Sequence, residues 1–217
     1  MDISLSLDRI NFTLKEYDYI FDSNYFIVCE DTTLYGENFI DVTSEWIKNN
    51  NTKGIIKNAK SIILNNTKYF VNEKNKINHK NSEKKLAKLV VKTFGGKLEY
   101  LPDIGEVDNI RCGDFFYKNE IWDAKELGEK AISKTRAIDN LLKESKGQSN
   151  NFILDITKST LDRKNILYQI QKLYSTKGRN WINKIIVFDN NNLLVVLTRK
   201  NKRDWHPLRA EWDQSQM

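Results

Sequence analysis

One stretch decides the fold of this chain: CGDFFYKNEIWDAK, residues 112–125. An apolar and aromatic run leads into a polar turn at residues 118–120, and a second apolar run then ends in charged residues. This pattern predicts a β-hairpin. Asp123 and Lys125 are two residues apart, so on a strand both side chains point to one face, while Asp114 belongs to the neighbouring strand. The pattern is typical of a phosphodiester-handling site and equally of an edge hairpin with a solvated charged face.

Composition indicates a folded chain without a membrane segment. The 217 residues are 40% hydrophobic and 11% aromatic, which is enough to form a core. No apolar run approaches the length of a membrane span, and the N-terminus lacks the basic-then-apolar order of a signal peptide. Cys29 and Cys112 give neither zinc spacing nor a disulfide framework, which favours a reducing compartment. His79 and His206 are too few for a histidine-rich metal cluster.

Charge and linkers divide the chain into three predicted parts. The net charge is +6, and the positive excess lies in residues 79–200, which indicates an anionic partner such as nucleic acid. Residues 1–78 are predicted to form a small α+β adaptor, with strands at residues 3–7 and 25–29. A polar stretch at residues 72–81 marks the boundary, and residues 201–217 form a tail.

The middle part alternates helices and strands. A helix is predicted from an N-cap at Ser82 to the glycines at residues 95–96. The other predicted elements are a strand at 97–101, the hairpin at 112–125, a helix from Ser133 or Thr135 to Gly147, a strand at 152–156, a helix after Thr160, and a hairpin at 184–197. This order predicts an α+β domain, with helices packed on a mainly antiparallel sheet.

Polar side chains collect at the ends of these elements. Candidates for binding an anion are Gln148 and Asn150 before a buried strand, Arg199 and Lys200 at the end of the last strand, and Lys134, Thr135 and Arg136 near a helix start. Free N–H groups at a helix start also favour anions. Each of these residues alone is ordinary turn, strand-end or helix-start chemistry.

Several motifs between residues 81 and 200 carry a family resemblance. They are the helix end at residues 94–96, Leu101-Pro102, Gly113-Asp114-Phe115, the segment 122–125, KGQSNNFILDI at residues 146–156, and the strand closing on Arg199-Lys200. This stretch resembles the C-terminal tRNase domain of CdiA contact-dependent growth inhibition toxins, which also occurs in Firmicute phage and mobile-element proteins. The resemblance implies the fold of barnase, EndoU, colicin and RelE ribonucleases, with helices on a four-stranded antiparallel sheet. Gly113 replaces the proline that usually opens the hairpin in that family.

The resemblance also implies an activity. A domain of this family would cut tRNA without a metal cofactor, because the 2′-hydroxyl attacks the adjacent phosphate. Acid–base chemistry would then fall to Asp114 or Asp123, and cations at Lys125 and Arg199 would hold the phosphate. Gln148 completes the catalytic set, and the RNA contacts would come from Lys134, Thr135, Arg136, Asn150 and Lys200.

The resemblance further implies a partner and a place of action. An acidic immunity protein is the expected partner, because it would cover a basic cleft. The domain would act in the cytoplasm, after delivery from a larger secreted or phage-associated protein.

Two other functions fit the same residues. Asp114 followed by Asp123-Ala124-Lys125 matches the Asp…(Asp/Glu)-x-Lys pattern of restriction-type nucleases, in which two acids hold Mg²⁺ and the lysine positions the attacking water. That fold requires a helix ahead of the hairpin and a sheet with parallel pairs. The third hypothesis is a non-catalytic structural or binding module of phage or mobile-element origin.

Overall fold

The computed structural model of the chain describes residues 38–48, 52–64, 67–71, 76–104, 112–129, 136–200 and 210–211. The strands predicted at residues 3–7 and 25–29 lie outside them. The helices of the described part are α1 (Thr43–Lys48), α2 (Asn81–Phe94), α3 (Ala137–Lys143) and α4 (Arg163–Ser175). The strands are β1 (Phe39–Asp41), β2 (Ile55–Asn58), β3 (Ser61–Leu64), β4 (Thr67–Phe70), β5 (Lys97–Tyr100), β6 (Phe115–Tyr117), β7 (Glu120–Glu126), β8 (Asn151–Asp155), β9 (Lys184–Asp189), β10 (Asn192–Arg199) and β11 (Ala210–Glu211). Among these residues no helix has the length and apolarity that a membrane crossing requires.

The predicted hairpin forms as β6 and β7. Phe115 lies opposite Trp122, and Tyr117 lies opposite Glu120. Lys118 and Asn119 have φ angles of 50° and 61°, the left-handed conformation that a two-residue hairpin turn requires at both positions. The hairpin between β9 and β10 turns in the same way.

The larger sheet has eight strands in the order β1-β10-β9-β8-β7-β6-β5-β2. Its central strands β7, β8 and β9 run parallel to one another, and β2 runs parallel to β5. The remaining neighbours are antiparallel. α3 connects β7 to β8 and α4 connects β8 to β9, since parallel neighbours need a crossover that returns the chain to the same end of the sheet.

The α+β class is confirmed, but the finer fold expectation is not. The described residues form a mixed eight-stranded sheet with four helices, and they do not show the four-stranded antiparallel sheet implied by the resemblance. Every residue of β8 is buried, as expected for a central strand covered on both faces. The prediction of a mainly antiparallel sheet overlooked that a strand–helix–strand order produces parallel pairs.

Helices cover both faces of this sheet. Phe152 and Leu154 of β8 pack in a core with α3 and α4, and Ile153 packs on the opposite face in a core with α2. α2 begins one residue earlier than its predicted N-cap, because Lys80 occupies the N-cap position and Ser82 lies within the helix. Asp162 caps α4, accepting a hydrogen bond of 2.8 Å from the Asn165 N–H.

The predicted boundary near residue 78 does not divide the sheet. β1 pairs with β10 and β2 pairs with β5, although both strands lie in the segment predicted as an adaptor. Trp46 of α1 is buried in the core beneath α2. In the tail, β11 pairs with β3, which also pairs with β4 in a separate three-stranded sheet. The described residues of the predicted adaptor and of the tail are thus part of the folded structure.

Candidate functional site

Asp114 lies just before the first residue of β6, at the point where β7 extends beyond the end of its partner strand. We call this point the fork. Its backbone N–H donates to the Trp122 carbonyl at 2.8 Å, and its own carbonyl accepts from the Leu101 N–H at 2.9 Å. The Ala124 N–H donates to Asp114 Oδ2 at 2.7 Å, so one carboxylate oxygen is fixed by β7. The other oxygen, Oδ1, points towards His79, whose Nδ1 is 3.9 Å away.

Gly113 makes this fork possible. A Cβ atom at this position would lie 2.6 Å from Ile121 Cγ2 and 2.7 Å from the Trp122 carbonyl oxygen. Both distances are too short for any side chain without movement of β7. The departure from the usual proline therefore lets β6 approach β7 closely and set the position of Asp114.

Asp123 and Lys125 share one face of β7, as predicted. Lys125 Nζ lies 2.7 Å from Asp123 Oδ2. The side chain of Lys125 is 23% exposed, whereas that of Asp123 is only 3% exposed. Asp123 Oδ2 is buried, and among the described residues the Lys125 ammonium group is the cation that compensates its charge.

Glu83 and His79 approach the same place from the start of α2. Glu83 Oε2 accepts a hydrogen bond of 2.9 Å from the Lys80 N–H, which fixes the carboxylate at the first turn of the helix. His79 packs on the rings of Tyr100 and Phe115, with centroid separations of 4.8 and 5.8 Å. The aromatic contacts hold the imidazole edge towards the acids.

The hydrogen bonds of His79 define its role in the cluster. Nε2 lies 3.0 Å from the Leu101 carbonyl, which can only accept, so this nitrogen carries a proton. Nδ1 lies 3.0 Å from Glu83 Oε2. Since a neutral Nδ1 and a carboxylate are both acceptors, this contact requires a proton or a cation between them.

The electrostatics of the site reflect crowded negative charge. Burial, and next to it the charge of Asp123, raises the pKa of Asp114 from 3.8 to about 7. Burial likewise raises the pKa of the nearby Cys112 thiol to about 12, with Asp114 and Asp123 adding to the effect. Burial also acts to raise the pKa of Glu83, but hydrogen bonds from His79 and Lys80 outweigh it and leave that pKa below its usual value. Of the neighbouring acids Glu83, Asp114 and Asp123, Asp114 is therefore the one whose pKa is raised.

A divalent cation fits this set of residues. One ligand atom each from His79, Glu83 and Asp114 lies within 4.8 Å of the others. Asp123 lies close enough to Asp114 to add negative charge to this set. Carboxylate oxygens suit Mg²⁺ or Mn²⁺, and an imidazole nitrogen shifts the preference towards Mn²⁺ and later transition metals. Burial first and the charge of Asp123 second raise the pKa of Asp114, and a cation here would offset both effects.

Arg199 lies in a different environment from the acids. Its guanidinium donates to the carbonyls of Ile182, Tyr174 and Arg179 at 2.8, 3.0 and 3.0 Å. The residue is only 8% exposed and its guanidinium lies 5.0 Å from the centre of the Tyr174 ring. These contacts use the donors that phosphate binding would need and favour a structural role. Lys200 follows it on the surface.

The remaining predicted residues lie on loops. Gln148 is half-buried in the turn after α3, and its backbone N–H donates to the Ser145 carbonyl at 2.9 Å. Asn150 is half-buried, and its Oδ1 atom is buried without a hydrogen-bond partner in the described part of the chain. Arg136 is exposed at the start of α3. Lys134 and Thr135 lie outside the described residues.

Sequence analysis did not place His79 or Glu83 in the site. The available signal was a helix ahead of the hairpin with an acid in its first turn, which is where Glu83 lies. His79 lies just before that helix and carries no sequence pattern of its own. Only the packing of Tyr100 and Phe115 against its ring brings it to the acids.

Comparisons with known proteins support the resemblance drawn from the motifs. Residues 113–193 match the model of the contact-dependent growth inhibition CdiA C-terminal domain. This range is narrower than the predicted 81–200, and it contains Asp114, Asp123 and Lys125 but not Glu83 or Arg199. No curated protein shows a significant sequence match to the chain.

One similar solved structure is a CdiA-CT/CdiI toxin and immunity complex from Burkholderia pseudomallei. The identity is 16%, and the aligned region covers 64% of this chain and 96% of that one. The TM-score is 0.37. The chain is thus similar over residues 113–193 to the C-terminal domain of contact-dependent growth inhibition CdiA toxins.

Proposed function

We propose that this domain is a toxin nuclease that hydrolyses phosphodiester bonds with the help of a divalent cation held by His79, Glu83 and Asp114, with Asp123 adding negative charge beside them. One observation carries the proposal: ligand atoms of His79, Glu83 and Asp114 lie within 4.8 Å of one another. RNA, with tRNA first, is the proposed substrate, since the resemblance implies it. Delivery of the domain into the cytoplasm of a target cell is part of the same proposal.

The residues of the site divide the chemistry between them. A divalent cation, when bound, neutralises charge on the phosphoryl oxygens and makes a bound water more acidic. Lys125 is partly exposed and its ammonium group contacts Asp123 Oδ2, so its remaining N–H groups can donate to the attacking water or to a phosphoryl oxygen. The fixed hydrogen bond from Ala124 keeps Asp114 in place when its carboxyl ionises.

Topology favours this mechanism over the metal-independent one. The restriction-type alternative requires a helix ahead of the hairpin and parallel pairs in the sheet. α2 precedes β5 and the hairpin, and β7 runs parallel to β8. The carboxylates also arise where that alternative places them, at the start of β6 and on β7.

A metal-independent ribonuclease is the second candidate, and one observation favours it. The pKa of Asp114, raised to about 7, suits a general base that takes the proton of an attacking 2′-hydroxyl near neutral pH. Arg199, however, donates to backbone carbonyls, so Lys125 is the cation of the predicted pair that is available to the phosphate.

The experiment that separates the two candidates is an end-group analysis. Purified protein is incubated with total tRNA, and separately with duplex DNA, in Mg²⁺, Mn²⁺ or EDTA. Hydrolysis by water leaves linear phosphate monoesters and is lost in EDTA, whereas 2′-hydroxyl attack leaves cyclic phosphates and persists. Asp123→Asn and Lys125→Ala abolish cleavage in either case. Glu126→Gln is the matched control, because Glu126 is on the same strand and pairs with the exposed Lys158.

An immunity protein is proposed as the physiological partner. A toxin of this family endangers the cell that makes it, and an acidic partner over the site would block the approach of anionic substrate. The partner would bury Lys125 at its contact surface. Loss of binding by a charge-reversed Lys125→Glu variant, with Glu126→Gln unaffected, would test this directly.

A further inference from the structure

A row of lysines runs along α2. Lys80, Lys84, Lys88 and Lys92 are spaced four residues apart, and all four are exposed; we call them the lysine ridge. Residues at this spacing are neighbours on a helix surface, and like charges there destabilise the helix. The ridge spans about 18 Å, since each residue adds about 1.5 Å to an α-helix.

Several other lysines of the described structure form ion pairs with carboxylates. Lys85 contacts Asp155 at 2.8 Å, and Lys97 contacts Glu99 at 3.1 Å. Lys158 contacts Glu126 at 2.9 Å. No described carboxylate forms an ion pair with any lysine of the ridge. The ridge therefore presents a continuous row of positive charge that is available to an anionic ligand.

The ridge connects the candidate site to a second basic feature. Its first residue, Lys80, donates its backbone N–H to Glu83, so the ridge starts at the acids of the site. At its other end Lys88 and Lys92 line a depression of about 540 Å³ together with Thr52, Lys53 and Gly54. The remaining lining residue is Val91, and no acidic residue lines the depression.

The loop that carries Lys53 is held tightly against α2. A Cβ atom at Gly54 would lie 2.5 Å from the Val91 carbonyl oxygen, so only glycine allows this approach. The close approach fixes Lys53 beside Lys88 and Lys92. Packing of this loop against α2 therefore keeps the three lysines of this end close together.

We propose that the lysine ridge, together with Lys53, binds the phosphodiester backbone of the nucleic acid substrate and leads it into the site at the start of α2. This inference rests on the proposed nuclease function. Successive phosphates of a duplex strand advance about 3.4 Å along the axis, so a ridge of about 18 Å follows roughly five of them. The exposed lysines offer no base-specific geometry, so the contact is independent of sequence.

The test measures binding without cleavage. The Asp123→Asn protein binds fluorescently labelled tRNA in EDTA, and anisotropy gives Kd over a series of KCl concentrations. The ridge variant replaces Lys84, Lys88 and Lys92 by Gln. The control variant replaces Lys143, Lys172 and Lys177 by Gln; these exposed lysines lie on or just after α3 and α4, the helices on the other face of the sheet.

The expected result is specific to the ridge. Each lost phosphate contact lowers the slope of log K against log salt by about 0.7 to 0.9, so the ridge variant loses about 2 to 3 from its slope and about a hundredfold in affinity near 0.1 M salt. The control variant loses the same net charge but keeps most of its salt slope and most of its affinity. Substitution of the three ridge lysines by Arg retains binding, and circular dichroism verifies that α2 remains folded.

Two outcomes would overturn the inference. Equal losses in the ridge and control variants would mean that net charge alone attracts the tRNA. An unchanged slope in the ridge variant would assign the ridge to another anionic partner, such as an acidic protein. Absence of cleavage in the unmodified chain, with the slope difference intact, would instead reject the nuclease and keep the ridge as a binding surface. Repeating the titration with duplex DNA shows whether the ridge binds the phosphates of RNA, of DNA or of both.

Discussion

Replacing Asp114 by Asn should stabilise the metal-free protein at alkaline pH. Burial beside Asp123 raises the pKa of Asp114 from 3.8 to about 7 in the folded state. The folded state therefore holds a proton that the unfolded state releases. Stability falls as pH rises from about 4 to about 7, because folding then requires either an added proton or a buried charge.

The magnitude follows from the size of that shift. A difference of about 3 pKa units at about 1.4 kcal/mol per unit gives about 4 kcal/mol lost above pH 7. Asn is close in shape and can still accept the Ala124 N–H at the position of Oδ2. The Asp114→Asn protein should therefore match the wild type near pH 4 and exceed its free energy of unfolding by up to about 4 kcal/mol at pH 8.

Urea unfolding in EDTA, followed by tryptophan fluorescence at pH 4, 6 and 8, measures the difference. The matched control is Asp162→Asn, an exposed N-cap position at which Asn and Asp are equivalent. Adding Mg²⁺ or Mn²⁺ at about 100 times its Kd should restore about 2.7 kcal/mol to the wild type and little to Asp114→Asn. A wild type that loses no stability relative to the variant between pH 4 and 8 would refute the account of crowded charge.

Three further substitutions test individual contacts of the site and core. Gly113→Ala forces a Cβ atom to within 2.6 Å of Ile121 Cγ2 and should cost about 1 to 3 kcal/mol of unfolding free energy, whereas Gly128→Ala, with open space at its Cβ, should be nearly neutral in the same urea titration. Arg199→Gln should lower stability by about 3 kcal/mol, because it leaves buried carbonyls unpaired, yet cleavage per folded molecule should be unchanged. His79→Ala should weaken Mn²⁺ more than Mg²⁺ in thermal-shift titrations, and equal weakening of both ions would exclude Nδ1 as a ligand.

Local sequence signals predicted the hairpin because its cues are short-range. The turn at Lys118-Asn119, the alternation on β7 and the pairing of Asp123 with Lys125 all depend on residues close in sequence. The same holds for the second hairpin at Asn190-Asn191. These features require no knowledge of distant contacts, so the pattern of apolar and turn residues was sufficient.

Strand direction depends on connections as well as on pattern. β7, β8 and β9 are separated by α3 and α4, and a helix between two strands of one sheet returns the chain to the end at which it started. The apolar run of β8 also lacks the alternation of a sheet with one wet face. Both signals were present in the sequence, and they indicate parallel pairs that the expected antiparallel fold did not include.

The function of a lone polar residue could not be judged from its place at a strand end. Arg199 follows an apolar strand just as a phosphate ligand would, but tertiary packing turns its guanidinium towards three carbonyls. For His79 the reverse holds, because no motif surrounds it in the sequence and yet it lies in the site. Ring stacking and the Leu101 carbonyl fix it beside Glu83. Both outcomes depend on residues 17 or more positions away, and so on the fold.

The position of the site follows from a mismatch in strand length. β7 extends to Glu126, whereas β6 begins at Phe115 opposite Trp122, so the backbone N–H of Ala124 has no strand partner on that side. Asp114 satisfies this donor with its side chain, and the bond holds a carboxylate in a partly buried place near Asp123. A hydrogen bond that completes the sheet thus fixes one of the carboxylates on which the proposed cation binding depends. Removing the acceptor, as in Asp114→Ala, should damage the fork itself, whereas Asp114→Asn should remove the charge and leave the fork intact.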